Sequence, residues 1–482
     1  MSEENNVSGL RRSISWREGF LIAVGLPLAI LPTIGFETSY LWGWSILLWA
    51  LVMLQGFLQN MAFGELATAF PNVSGIPGFA QEVFKDKSGK KNKYDKGRLI
   101  GGYCAWGYLI TWMVGAVYIM TIGAYVESLF PNLNIDSTVL NLILGGVIYV
   151  VLALIASRGL NSGAKLGLIL AVFSVVPITA IVIAPFLTGN FHIEYITTAL
   201  TPAWTWDING VLMLFGLITM AQWAALGWEG CAMYGPEYKN PGRDIPKALF
   251  ACGGFCLIMY VLVQASTIGT LGIDGVLAQP ISVLQPVANL VFGDIGGEIA
   301  ILFLIGTLVL LTQMGYSVSA RALYGMAREG NMPKWLDHTS SKGEPMRALL
   351  VIAIINMFLI SLGNLVVVMA ASAIGYVIAF GIGLFAYVKA KRDPELKKLD
   401  RPYRAPRGWI WIAAALGILQ IPFLIMGALY VDYTSYGAIA TVLGIVLIVA
   451  FFPIWMYSQN ERNKLTEKEK GEGVLIKANE VN

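Results

Sequence analysis

Long apolar segments alternate with short polar ones along almost the whole of this chain of 482 residues. A helix needs roughly 20 apolar residues to cross about 30 Å of hydrocarbon. The pattern therefore predicts an all-α integral membrane protein with twelve transmembrane helices. The predicted spans are 18–39, 42–69, 100–129, 138–156, 164–187, 209–233, 246–271, 298–328, 347–362, 365–390, 408–430 and 435–457.

Composition supports a membrane protein and narrows the chemistry. Only 13% of the residues are charged, and a soluble protein of this length would need far more charge on its surface. His192 and His338 fall in polar connections, so we expect no histidine-based metal site and no cofactor. The four cysteines lie in apolar segments, where we interpret them as small buried side chains. They are Cys104, Cys231, Cys252 and Cys256.

Lysine and arginine residues crowd every second connection, which predicts the orientation. The segments 85–98 and 389–407 are strongly basic, whereas 131–138 and 189–207 contain no lysine or arginine. By the positive-inside rule, the segment 1–17 and the tail 461–482 are both cytoplasmic in a multi-pass protein of the cell membrane. The bilayer is thus an expected partner and nucleic acid is not. The oligomeric state is not predicted.

Two predicted helices contain residues that interrupt helical structure. In the first, VGLPLAILPTIG, Pro27 and Pro32 each remove a backbone hydrogen bond. In the sixth, Gly227 and Gly230 flank Trp228 and Glu229. Exposed backbone survives inside a membrane only against protein or a water-filled cavity. The two interruptions therefore indicate a binding site, although a simple proline kink in the first span is an alternative.

The spacing of the interruptions predicts the architecture. Helices one and six are five spans apart, as expected for a five-plus-five inverted repeat with its site at the midplane. The core would then comprise 18–390, with the last two helices in 408–457 outside it. Glu229 either ties the broken backbone together or contacts the ligand, and both readings stay open. The tryptophans are either packing residues or, as we favour for Trp223, a lid over the site.

Five sequence blocks carry a resemblance to a known family. The chain resembles the amino acid–polyamine–organocation superfamily, which includes bacterial amino acid permeases and arginine/agmatine exchangers. The resemblance implies the twelve-helix transporter fold with broken helices one and six. The blocks, in order, are GELATAFPNVSG, RGLNSGAKL, GWEGCAMYGPEYKNPGRDIPKAL, SARALYGMAREGNMPKWL and RPYRAPRGW.

The resemblance also implies site residues. Trp223 takes the place of an aromatic gate, Leu226 and Gly227 lie where backbone carbonyls receive an amine, and Glu229 matches the family glutamate. The glycine-rich loop of helix one falls on Gly25 and Pro27, or three residues later on Leu28 and Ile30. We therefore take the whole segment as binding substrate, with the opposite wall on helix three. The segment is Gly25, Leu26, Pro27, Leu28, Ala29 and Ile30, and the wall residues are Tyr108 and Trp112; Trp228 completes the predicted set.

Serines in the fifth and eighth helices are relevant to the choice of coupling ion. Ser174 occupies the position where proton-coupled relatives carry a lysine, so proton coupling through that lysine is excluded. Ser174 with Ser317 or Ser319 is a possible sodium site, because hydroxyl oxygens suit hard cations. Exchange without a cation is equally open, as is ordinary hydrogen bonding of these serines to their own helices.

The expected function is secondary active transport of a small amino acid or organic amine by alternating access. Helices one, two, six and seven would rock against helices three, four, eight and nine. The alternatives are a cation-independent amino acid or amine exchanger and, in other classes, an ion channel or a transporter-like receptor. An intramembrane enzyme is not expected, because the spans lack a converging nucleophile and base.

Overall fold

Helices form nearly all of the described part of the chain. The structure, a computed structural model, describes residues 14–23, 26–71, 75–85, 96–158, 175–225, 227–229, 231–232, 238–341 and 343–479. Within these ranges the only β pairing is an isolated bridge between Ile14 and Tyr238. There the amide of Lys239 donates to the carbonyl of Ile14 at 2.8 Å, joining the N-terminal segment to the residues that precede the seventh span.

The described residues of the first half of the chain form ten α-helices. They are α1 (Trp16–Ala23), α2 (Ile34–Leu41), α3 (Trp44–Ala69), α4 (Gly75–Phe84), α5 (Lys96–Trp112), α6 (Gly115–Leu129), α7 (Ser137–Ala156), α8 (Val175–Thr188), α9 (Glu194–Thr197) and α10 (Ile208–Ala225). The second half continues with α11 (Pro241–Ala278), α12 (Leu284–Arg328), α13 (Met346–Ser361), α14 (Leu365–Arg392), α15 (Trp409–Ile418), α16 (Ile425–Tyr436) and α17 (Ala438–Asn479).

The chain is a multi-pass membrane protein. Nine helical stretches among the described residues are long and apolar enough to span a membrane, and α8 and α13 are shorter apolar helices. On α7 one face is apolar and exposed, at Val139, Ile143, Val147, Val150 and Leu154. In water such an apolar stripe would promote aggregation, whereas in a membrane it contacts lipid tails of similar polarity.

Long helices pair along their lengths to form the interior. The helix α3 runs along α11, α5 along α14, and α10 along α16. Small residues allow the closest approach: a Cβ added to Gly107 of α5 would lie 2.6 Å from the carbonyl oxygen of Gly375 in α14. Because lipid supplies no hydrophobic drive between helices, such close backbone packing is a main source of their association.

The third span differs from the continuous helix that the sequence predicts. It is interrupted at Met113 and Val114, between α5 and α6. The side chain of Asn356 in α13 accepts a hydrogen bond from the amide of Ala116 at 2.7 Å, so it satisfies a donor that the interruption exposes. At the other end of the chain, α17 continues to Asn479, through most of the predicted polar tail.

A buried cluster of charges joins α3, α14 and the segment that follows α14. We call Glu65, Tyr387, Lys391, Arg401 and Ala405 the Glu65 cluster. Glu65 is 1% exposed, and its carboxylate accepts from the Lys391 ammonium at 2.8 Å and from the Arg401 guanidinium at 2.8 Å. The Tyr387 hydroxyl and the Ala405 amide each donate to it at 3.0 Å. The GELATAFP and RPYRAPRGW blocks thus meet through one carboxylate.

Candidate functional site

The first span is not a uniform helix. Between α1 and α2, Leu26–Thr33 form a 3₁₀ helix that contains Pro32. Runs of this tighter helix rarely exceed four residues, and longer ones often mark a functional hinge or strain. Gly25 lies outside the described residues, and Leu26, Pro27, Leu28 and Ala29 are described by their backbone alone. Ile30 is fully buried, and its carbonyl accepts from the Thr33 hydroxyl at 2.7 Å.

The sixth span changes conformation after α10 ends at Ala225. Gly227 has φ +110°, which a residue with a side chain rarely adopts, and Trp228 and Glu229 follow in a 3₁₀ turn. The carbonyl of Ala224 accepts a hydrogen bond from the Tyr260 hydroxyl of α11. A side chain thus takes up an acceptor that backbone amides leave at a helix end. Leu226 lies outside the described residues.

Glu229 is held by the altered backbone. It is 3% exposed, and its Oε2 accepts from the amide of Gly227 at 3.1 Å. Its Oε1 has no hydrogen-bond partner among the described residues. One oxygen therefore orders the turn while the other keeps its acceptor capacity. Both roles predicted for this residue are compatible with that geometry.

Aromatic rings surround the end of α10. Trp223 is 4% exposed and stacks on Tyr118 of α6, with ring centroids 6.4 Å apart and planes inclined by 24°. Tyr260 of α11, whose hydroxyl donates to Ala224, packs against Trp49 of α3 with ring centroids 5.1 Å apart. Trp223 is thus buried against an aromatic ring of the third span.

Tyr108 and Trp112, the two wall residues predicted from the sequence, lie on α5 with ring centroids 6.0 Å apart. The hydroxyl of Tyr376 in α14 donates to Gln59 Oε1 of α3 at 3.3 Å. The helix α14 also packs against α5 and α10, so the structure brings together α3, α5, α10 and α14. Two buried donors at this place, Trp112 Nε1 and Gln59 Nε2, have no partner among the described residues.

Trp228 points away from this group. Its ring lies 5.3 Å from that of Phe57 in α3 and fills the space above Gly253 of α11, leaving no room there for a Cβ. It is 2% exposed. The Trp228 ring therefore packs between α3 and α11, as expected for a packing residue. The glycines Gly56 and Gly253 lie against the ring because a side chain at either position would crowd it.

The predicted sodium ligands are only partly described. Ser174 lies outside the described residues. Ser319 is fully buried and its hydroxyl has no partner among them, whereas Ser317 is half-buried. Residues two apart on a helix point to faces about 200° apart, so the two serines do not share one ion. Ser319 is the better placed of the two for an interior site.

Sequence reasoning missed Gln59, Tyr118, Tyr260 and Tyr376. Each is a polar residue within an apolar span, which was the available signal, since polar side chains inside a membrane usually face other protein groups. Their partners, however, are on distant parts of the chain. Nothing local in the sequence pairs Tyr118 with Trp223 or Tyr376 with Gln59.

Comparison with known proteins gives a consistent result. The family described as "Amino acid permease" matches residues 14–451. An arginine/ornithine antiporter of Lactococcus lactis subsp. cremoris is 23% identical over 84% of this chain and 88% of its own. A histidine permease of the same organism is 24% identical, covering 94% and 96% of the two chains. A serine/threonine exchanger of Bacillus subtilis is 25% identical, covering 62% and 63%.

Proposed function

Because the chain belongs to the amino acid permease family, we propose that it is a secondary transporter that moves a small amino acid across the membrane by alternating access. The family consists of transporters, not enzymes. The relatives' names favour amino acids over amines, since they include arginine, ornithine, serine, threonine and histidine. An organic amine remains within the proposed substrate class, because the same carboxylate that binds an α-ammonium binds any alkylammonium.

The proposed transporter has twelve spans and two five-helix inverted repeats, with both termini cytoplasmic. The 3₁₀ segment Leu26–Thr33 and the non-α residues 227–229 are its two interruptions, and they support a site between helices one and six. Helices one, two, six and seven would move against helices three, four, eight and nine. Trp223 would close over the bound substrate.

One observation carries the proposal: the buried Glu229 carboxylate, in the non-α residues after α10, keeps an oxygen without a partner among the described residues. The aromatic rings of Trp223, Tyr118 and Tyr260 lie around the end of α10. A substrate ammonium supplies the missing donor and the positive charge, and aromatic faces stabilise a cation further. The indole and amide donors of Trp112 and Gln59 suit a carboxylate at the other end.

Two candidate modes share this site. The first is symport with a cation. The second is cation-independent exchange, which the names of the antiporter and the serine/threonine exchanger among the relatives favour.

Transport by purified protein in liposomes tests the proposal. We expect saturable counterflow of at least one member of a panel of arginine, ornithine, serine, threonine, histidine, agmatine and putrescine. Applying a sodium gradient, a pH gradient or neither then separates symport from exchange. If no panel member is bound or exchanged by correctly folded protein, the substrate class is wrong.

Trp223 is expected to act as a lid. Replacing it with alanine should lower the transport rate about tenfold, because the Trp223–Tyr118 contact and the closed position are lost, and 1.4 kcal/mol corresponds to one factor of ten. Folding should be retained. Trp223→Phe, which keeps an aromatic ring, should recover most of the rate. The matched change at the packed ring, Trp228→Ala, should instead reduce the yield of folded protein. Unchanged kinetics in Trp223→Ala would argue against the lid.

A further inference from the structure

Glu37 is a second buried carboxylate in the proposed transporter core. It lies on α2, one turn beyond the 3₁₀ segment, and is 0% exposed. Neither carboxylate oxygen has a hydrogen-bond partner among the described residues. The neighbouring polar residue is satisfied: the Thr38 hydroxyl accepts from the Gln264 amide at 2.8 Å, and Gln264 accepts from the Trp49 indole at 3.0 Å. Glu37 takes no part in this network of Thr38, Gln264 and Trp49.

The helices around α2 provide no counter-charge at this depth. The helix α2 packs against the 3₁₀ segment, α3, α11 and the residues around Pro280, whose backbone lies against Gly35. The helix α16 approaches through a Tyr40–Ser435 hydrogen bond of 2.7 Å. The 3₁₀ segment has no ionisable residue, and α3 has only Glu65, sixteen residues or roughly 24 Å beyond Trp49. The ionisable residues of α16 are Tyr430, Asp432, Tyr433 and Tyr436, and none of them is a cation.

On α11, Gln264 marks the depth of Thr38. The basic residues Arg243 and Lys247 are 17 or more residues away, on the order of 25 Å, and Asp274 is exposed and lies beyond a break in the helix at Gly272. Between them, Tyr260 donates to Ala224, and the thiols of Cys252 and Cys256 are buried. The segment before α9 also packs on α11 and brings in His192, whose amide donates to Gly269 at 2.7 Å and whose exposed ring lies 3.6 Å from Glu194. The helices α2, α3 and α16 contain no lysine or arginine.

A buried carboxylate without a hydrogen-bond partner or counter-charge is costly when it is charged. It is stable when it carries a proton, or when a cation from outside the protein accompanies it. A metal cation would need several oxygen ligands at once, and the nearby Thr38 and Gln264 oxygens are already engaged. A proton needs only the carboxylate.

We propose that Glu37 is the proton-binding residue through which this transporter uses a pH gradient. The inference rests on the proposed function. With the site open to the outside, water reaches Glu37 and one proton forms an O–H bond with the carboxylate. The neutral side chain then accompanies the substrate through the change of access, and the same O–H bond breaks when water enters from the cytoplasm. One proton moves per cycle. The helix α2 continues directly from the 3₁₀ segment, whose backbone is proposed to bind substrate. A change of charge at Glu37 therefore acts next to that backbone.

The variant Glu37→Gln tests this, since glutamine keeps the shape and cannot exchange the proton. We expect counterflow of the transported substrate to stay within about twofold of wild type, because exchange requires no net proton movement. Accumulation driven by a pH gradient should be lost, together with the substrate-dependent proton influx reported by a pH dye inside the liposomes. Asp432→Asn is the matched control: Asp432 is 1% exposed and also lacks partners among the described residues, but lies on α16, outside the proposed core. It should retain coupling.

The outcomes separate the two proposals. No counterflow in the wild type would defeat the proposed function itself. Wild-type counterflow without any proton influx, or uptake driven by sodium alone, would overturn only the role of Glu37. Wild-type coupling in Glu37→Gln, or coupling lost in Asp432→Asn instead, would do the same. If Glu37→Gln does not fold, the proton influx measured in the unmodified protein still decides whether transport carries a proton, and Glu37→Asp, which keeps the acid, should show that influx.

Discussion

Replacement of Glu65 with glutamine is expected to destabilise the folded protein by about 3–5 kcal/mol, the usual loss when one partner of a buried ion pair is removed. Glu65 is the single anion of the Glu65 cluster and faces two cations. Arg401 is 6% exposed, so its guanidinium would be left buried beside a neutral amide. The Arg401 side chain also donates to the carbonyls of Ala390 and Leu396 at 3.0 and 2.9 Å, which ties this segment to α14.

The melting temperature of purified protein in detergent measures this loss. Two control variants provide the values with which Glu65→Gln is compared. Lys391→Met leaves the Glu65–Arg401 pair intact, so its cost should be much smaller, about 1.5 kcal/mol. Glu82→Gln removes an acid from the exposed Glu82–Lys85 pair, 4.0 Å apart, and should change stability by less than about 0.5 kcal/mol. A melting temperature for Glu65→Gln equal to that of Glu82→Gln would contradict the role assigned to the cluster.

Glu229→Gln is expected to reduce transport by roughly 10- to 150-fold while preserving the fold. A hydrogen bond to a charged group contributes about 1.5–3 kcal/mol, and this one would be lost from the substrate ammonium in a site shielded from water. Glutamine still has an oxygen that accepts from the Gly227 amide, so the turn after α10 is retained. The measurement is counterflow in liposomes, with thermal stability recorded on the same preparation.

The variant Glu229→Leu distinguishes the two roles of this carboxylate. Leucine removes the acceptor for Gly227 as well as the charge, so both stability and transport should fall. If Glu229→Gln transports like wild type while Glu229→Leu is unstable, Glu229 serves only to order the backbone. The ammonium must then bind elsewhere in the site.

The sequence predicted the features that depend on local composition. Membrane helices follow from apolar length, and the end of α10 near Gly227 follows from glycine beside a carboxylate. The proline-rich stretch of the first span was recognised as irregular for the same reason, since Pro32 cannot donate to the helix. Such signals are contained within one turn of the chain, so a single sequence suffices to find them.

Contacts between distant segments could not be predicted in this way. The interruption at Met113 is stabilised by Asn356, which is more than 200 residues away and looks in sequence like any polar residue of a membrane helix. Trp228 was predicted as a site residue with its neighbours, yet the side on which its ring packs depends on Gly56 and Gly253. The Glu65 cluster likewise joins two blocks that only the fold brings together.

The four thiols have a practical consequence. All are buried in this conformation, so a water-soluble alkylating reagent should leave the resting protein almost unmodified. A cysteine introduced at the surface can then be labelled selectively without first removing the natural ones. Cys231, two residues after Glu229 and 0% exposed, is placed to react only when the region around α10 opens. Its alkylation rate, measured with and without substrate, reports how often this region opens during transport.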